Sequence, residues 1–173
     1  MKLSPKALVC ASVIALATPL TIAAATAPSA VTAPQFLAAS PLLGSWSLDT
    51  SRMAMPPEQR PKSVRFTFGD GGNNKLTMHV DIVYAPGQEA HSVGTAELDG
   101  TPSAVKNSPE ADTASFKQPA PNVLVMALQR NGVLVSTRIY SVMPDDHNLV
   151  ETTVYPGKDG LIVMKTNYFE RVR

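Results

Sequence analysis

From Gly44 onward, apolar and polar residues alternate in short runs with a period of two. Leu76, Met78, Val80, Ile82 and Tyr84 share one face of a run, and Thr77, His79, Asp81 and Val83 take the other. Val64, Phe66 and Phe68 alternate with Arg65 and Thr67, and Ile162, Met164, Thr166 and Tyr168 alternate with Lys165 and Asn167. Successive side chains of a strand point to opposite faces, so each run predicts a strand with one face to a core. Strands are expected near 44–49, 62–68, 75–84, 90–98, 101–106, 113–118, 123–130, 132–141, 148–155 and 161–171. Between 123 and 141 both faces carry apolar residues, so parity there is less defined.

Turn chemistry punctuates these runs. Gly69 to Asn74, Ala85 to Gln88, Asp99-Gly100, Pro144 to Asn148 and Pro156 to Gly160 all carry Gly, Pro, Asn or Asp. Asn131-Gly132 is a tight-hairpin signal, because both residues accept positive φ. The stretch 50–61 is too proline-rich for a strand and reads as a long first loop. Many short strands at this spacing predict an all-β, antiparallel up-and-down barrel of about eight to ten strands. For the hairpin at Pro86-Gly87 the preferred register pairs Tyr84 with Ala90. It sets small Ala96, Gly94 and Ser92 against Met78, Val80 and Ile82, and keeps Glu97 off the core face; a one-residue slip would reverse the faces.

The first 25 residues read differently. Lys2 and Lys6 precede an apolar stretch from Ala7 to Ile22, and Ala23-Ala24-Ala25 offers small residues before a cut after Ala25. This is the pattern of a secretory signal peptide, so the chain is expected to be exported, to the periplasm or the medium. Residues 26–41, rich in Ala, Pro, Ser and Thr, read as a flexible leader, with Phe36 and Leu37 able to dock locally. The barrel domain is expected over 42–173.

The only cysteine, Cys10, lies in the signal segment, so the domain has no disulfide, no thiolate nucleophile and no Cys-based zinc site. Without Lys2 and Lys6, 13 of the 15 basic side chains remain against 14 acidic ones, a formal charge of −1. That balance gives no electrostatic case for nucleic acid or an anionic membrane surface, and no stable membrane insertion is expected after cleavage.

Gly44-Ser45-Trp46 on the first strand, with Tyr168-Phe169-Glu170-Arg171 on the last, resembles the frame of the lipocalins and their calycin relatives. The stretch from Leu98-Asp99-Gly100 to Phe116-Lys117 is similar to a pattern in small exported bacterial lipocalin-like proteins. The resemblance spans about residues 42–173. It implies that Trp46 sits at the closed end of the barrel and that Arg171 packs across it, with Arg173 the second candidate. It also implies an interior able to take a small molecule. The second motif of the kernel lipocalins, Thr-Asp-Tyr, has no counterpart here.

Chemistry on the chain is sparse. His79, His91 and His147 are spread too widely for a metal site and read as surface residues. In the preferred register His79 and His91 share the outer face, roughly 13 Å apart. There is no Gly-x-Ser-x-Gly elbow, no Gly-x-Gly-x-x-Gly and no phosphate-binding loop. Neither a cofactor nor catalysis is expected. The candidate site is the barrel interior, lined by Phe66, Met78, Tyr84, Met126, Tyr140, Met164 and Tyr168. Methionine thioethers adapt to irregular apolar ligands, and tyrosine hydroxyls fix a polar end. The leading expectation is a carrier of a small hydrophobic or amphipathic molecule. The alternatives are a filled barrel acting as an interaction module of the cell envelope, through loops 50–61 or 101–112, and a barrel enzyme. The enzyme would require internal ionisable groups, for which Glu151, if its strand turns it inward, and Glu170 are the candidates.

Overall fold

The computed structural model describes residues 37–173. The signal-peptide reading, and most of the leader reading with Phe36, fall outside them. Ten antiparallel strands form one closed barrel. They are β1 (Gly44–Leu48), β2 (Ser63–Asp70), β3 (Lys75–Ala85), β4 (Gln88–Glu97), β5 (Ser103–Lys106), β6 (Thr113–Ala120), β7 (Val123–Arg130), β8 (Val133–Val142), β9 (Asn148–Pro156) and β10 (Ile162–Arg171). Each strand pairs with its neighbour in sequence, and β1 closes the circle onto β10. Every run of alternation named above is a strand, to within a few residues at each end.

The two ends of the barrel differ. At the closed end Trp46 is fully buried and donates from Nε1 to the Leu42 carbonyl at 2.8 Å. The Arg171 guanidinium lies over the Trp46 ring, 4.1 Å from its centre. Its nitrogens donate to three backbone carbonyls: Pro41 at 2.5 Å, Leu43 at 2.8 Å and Asp146 at 2.7 Å. Arg171, not Arg173, is therefore the closing arginine. Gly44 has φ +114°, and a Cβ there would lie 3.0 Å from Arg171 Nη1. A side chain at 44 would strain the backbone and press on the clamp. The packed domain starts earlier than Leu42: Leu37 is buried, and Ser40 Oγ donates to the Pro121 carbonyl at 2.7 Å.

The turns follow local rules. Among the described residues, the five non-glycine residues with positive φ are all Asn or Asp: Asn73, Asn74, Asn107, Asn131 and Asp146. Asn131 and Gly132, at φ +52° and +76°, form the two-residue turn between β7 and β8. Next to Asp146, the Asp145 carboxylate accepts from Asn148 Nδ2 and from the backbone N–H groups of His147 and Asn148. These bonds hold its pKa down to about 2.

The β3–β4 register differs from the expected one by two residues. Ile82, not Tyr84, faces Ala90, and Met78 faces Gly94. A bulge leaves Tyr84 without a partner before the Pro86-Gly87 turn. A shift of two preserves the faces, so the small-against-large packing survives. On the outer face His91 now sits opposite Asp81, and His79 opposite Val93. His91 Nδ1 lies 2.6 Å from Asp81 Oδ1 and Nε2 lies 3.3 Å from Glu89 Oε2. The hydrogen bond to Asp81, then that to Glu89, raises the His91 pKa above its usual 6.5. A raised histidine pKa contributes stability below the unfolded value, and that contribution is lost as pH rises through the folded value. NMR titration should place the His91 midpoint above that of a free histidine, and Asp81→Asn should move it back down.

Candidate ligand-binding site

Packing divides the lumen in two. Towards the closed end, Phe66 stacks on Phe169 with centroids 4.7 Å apart, and Tyr140 meets the edges of Phe66 and Phe68 at 5.7 and 5.6 Å. With Trp46, Leu42 and Leu149 these rings form a solid core. Above it, towards the hairpin tips of the open end, lies a cavity of about 330 Å³. Its wall on β2–β7 is apolar: Val64, Phe66, Met78, Val80, Ile82, Val105, Phe116, Met126 and Leu128. The narrow side chains at Ser92, Gly94 and Ala114 leave the space that the larger ones surround. Residues 49–62, with short 3-10 turns at Thr50–Arg52 and Pro57–Gln59, cross the mouth and contribute Met53, Met55, Gln59 and Pro61.

The wall on β8–β10 is polar. Arg138 and Tyr140 on β8, Glu151 and Thr153 on β9 and Asn167 on β10 face the interior on neighbouring strands, with Tyr140 opposite Glu151, Arg138 opposite Thr153 and Glu151 opposite Asn167. Arg138 Nη1 lies 3.4 Å from Glu151 Oε1. Its Nη2 lies 2.5 Å from Oε2 of Glu110, which reaches in from the loop between β5 and β6. Asn167 Nδ2 donates to Glu151 Oε2 at 2.7 Å, and Ser136 Oγ to Glu110 Oε1 at 3.4 Å. Glu151 is only 2% exposed, so its charge depends on these partners. Burial opposes the Arg138 charge, but the carboxylates of Glu151 and Glu110 outweigh it and raise the guanidinium pKa above its ordinary value. Burial, and then the Glu151 charge, push the Tyr140 phenol well above its usual pKa, so it stays neutral. A second lobe of about 410 Å³ borders the same Glu110, Arg138, Glu151 and Asn167 and adds Thr153, Tyr155 and Lys165.

Four of the residues expected in the pocket line it: Phe66, Met78, Tyr84 and Met126. Tyr84 is on the expected face but at the rim, 47% exposed. Tyr140 points inward, yet it packs in the core beneath the cavity. Met164 and Tyr168 are corrections. Met164 is 71% exposed on the outer wall, and Tyr168 lies outside beneath Arg52, whose guanidinium carbon is 3.3 Å from the ring centre. The inward residues of β10 are the alternate set, Lys165, Asn167, Phe169 and Arg171, because Phe169 pairs with Leu149 and Arg171 with Trp46. Glu151 does turn inward. Glu110, Arg138 and Asn167 were not anticipated. Counting back in twos from Arg171 finds Asn167, and counting back from Tyr140 finds Arg138. Glu110 lies in a loop, where no period leads to it.

Among the described residues no three His, Cys, Asp or Glu side chains gather in a way that would hold a metal ion. No family model and no curated protein sequence matches the chain. Solved structures do. Rv2717c from M. tuberculosis is 17% identical with a TM-score of 0.51, over 82% of this chain and 99% of that one. Zebrafish ileal bile acid-binding protein, complexed with cholic acid, is 13% identical with a TM-score of 0.50, over 77% of this chain and all of that one. A point mutant of the fluorescent protein UnaG is 12% identical with a TM-score of 0.50, over 77% of this chain and 97% of that one. At these identities the likeness is one of fold. The chain is a closed ten-stranded antiparallel barrel that shares its fold with these structures.

Proposed function

We propose that this chain is an exported carrier that binds a small amphipathic molecule in the upper half of its barrel. The observation that carries the reading is the cavity itself, about 330 Å³ with an apolar wall facing a polar one. That volume is at the lower end of the range of small-molecule sites, and apolar walls with a few placed polar groups are their usual chemistry. The cholic acid held by the zebrafish neighbour supports the same use of the fold. Export rests on the pattern of residues 1–25.

Non-covalent binding is favoured over catalysis by the way the internal ions are used. Both carboxylates are tied to Arg138, and Glu151 also to Asn167, so neither stands ready as a base. A filled barrel is disfavoured by the empty volume above Phe66.

The test has two parts. Protein recovered from the exported fraction is extracted under denaturing conditions, and the extract is analysed by mass spectrometry for a stoichiometric small molecule. In parallel, Gly94→Leu is compared with wild type for binding of an apolar fluorescent probe. Gly94 lines the cavity, and a Cβ there meets only Val105, at 3.4 Å, so the larger side chain has room to fill the space. Probe affinity should fall on the order of tenfold or more, while the unfolding transition stays near wild type. No extracted ligand and a probe that ignores Gly94→Leu would end the carrier reading. Absence of the chain from the exported fraction would remove export from it.

A further inference from the structure

The charge balance of the cavity narrows the class of ligand, given the carrier reading above. Among the described residues, three charged side chains line the apolar cavity: Glu110, Arg138 and Glu151. Two acids and one base leave a formal charge of −1. Lys165 faces inward farther along β10, where it borders the second lobe and does not line this cavity. The Arg138 charge is already shared between two acids, with Nη1 on Glu151 and Nη2 on Glu110, while its buried Nε has no partner among the described residues. Glu151 accepts from Arg138 and Asn167 and is 2% exposed, so little of it is open to a ligand. The spare acceptor capacity lies on Glu110, which is 38% exposed and has a carboxylate with about four lone-pair sites. Its two contacts here are Arg138 and a long bond from Ser136.

We propose that the cavity selects an amphipathic amine, with its ammonium against Glu110 and its apolar chain along Phe66, Met78, Phe116 and Met126. An ammonium presents three donors and neutralises the surplus charge. A carboxylate head would meet two carboxylates against one arginine whose charge they already share, an arrangement that selects by repulsion as well as attraction. The site is thus an inverted anion pocket: its arginine holds the wall together and leaves recognition to an acid.

Decylamine, decanol and decanoate share one chain and differ only in the charge of the head. Calorimetric titration of the wild-type protein near neutral pH should rank them amine, alcohol, carboxylate. Amine and carboxylate should differ on the order of tenfold or more. In Glu110→Gln the preference of amine over alcohol should largely disappear. An amine that binds no tighter than the alcohol, a carboxylate that matches the amine, or a full amine preference in Glu110→Gln would each overturn the charge inference. In all three cases the carrier reading would stand. If none of the three molecules binds, both fall. The wild-type ranking needs no variant, so a poorly folding Glu110→Gln does not protect the idea.

Discussion

Arg138→Met should destabilise the barrel by about 3–5 kcal/mol, the usual cost of removing one partner of a buried ion pair. Methionine replaces the aliphatic stem well enough, so the loss is electrostatic rather than a cavity. It strands Glu151, which is 2% exposed and keeps only the Asn167 amide at 2.7 Å. It also frees Glu110 from its 2.5 Å contact at the mouth. A companion measurement separates this from simple mispacking. The double variant Arg138→Met/Glu151→Gln should recover most of the loss in urea unfolding, because an uncharged amide no longer needs the cation. A double variant no better than the single one would show that the guanidinium stem, not its charge, is what the wall requires.

Arg171→Met should lose about 2–4 kcal/mol, with the effect concentrated at the closed end. Three backbone carbonyls, those of Pro41, Leu43 and Asp146, accept from this one side chain. Hydrogen bonds to a charged donor are worth roughly 1.5–3 kcal/mol each, and three that share a donor do not add fully. The contact with the Trp46 ring adds to them. Arg171→Lys should rescue little, because an ammonium is a point charge and cannot place three fixed donors while lying flat on an indole. Trp46 is the only tryptophan, so its emission reports on this end alone. A red shift in Arg171→Met, with probe binding retained in the upper cavity, would localise the damage. Unfolding at the wild-type denaturant midpoint would show that the clamp is ornamental.

The sequence shows the barrel more clearly than the pocket, and β10 explains why. Alternation locates a strand well, but it assigns faces only if the interior is apolar. On β10 the inner residues Lys165 and Asn167 are polar because that wall is polar, while Ile162 and Met164 lie exposed outside. The apolar-in rule therefore turns the strand over. The resemblance already held the remedy: Arg171 must face Trp46, and period two then puts Asn167 inside and Tyr168 outside. On β8 the inward placing of Tyr140 likewise implied Arg138, since they are two residues apart. Faces were legible wherever both sides differed in polarity, as on β2 and β3. The two-residue register offset at Pro86-Gly87 was hidden because it depends on a bulge at Tyr84, which leaves no mark on alternation. Glu110 depends on how its loop folds back over the lumen, and that is set by long-range contacts.

The pairing of β1 with β10 also governs how the chain reaches this state. The bonds from Arg171 to Leu43 and Pro41 span 128 and 130 positions of sequence. Contacts that distant carry a large closure entropy before they return any stabilisation, and topologies rich in them fold slowly. Until β10 is in place, β1 and β9 each present an unpaired edge, the form in which strands recruit other chains. Folding of this barrel is thus a race between ring closure and association. The arginine that clamps the end also marks the moment at which the sticky edges disappear.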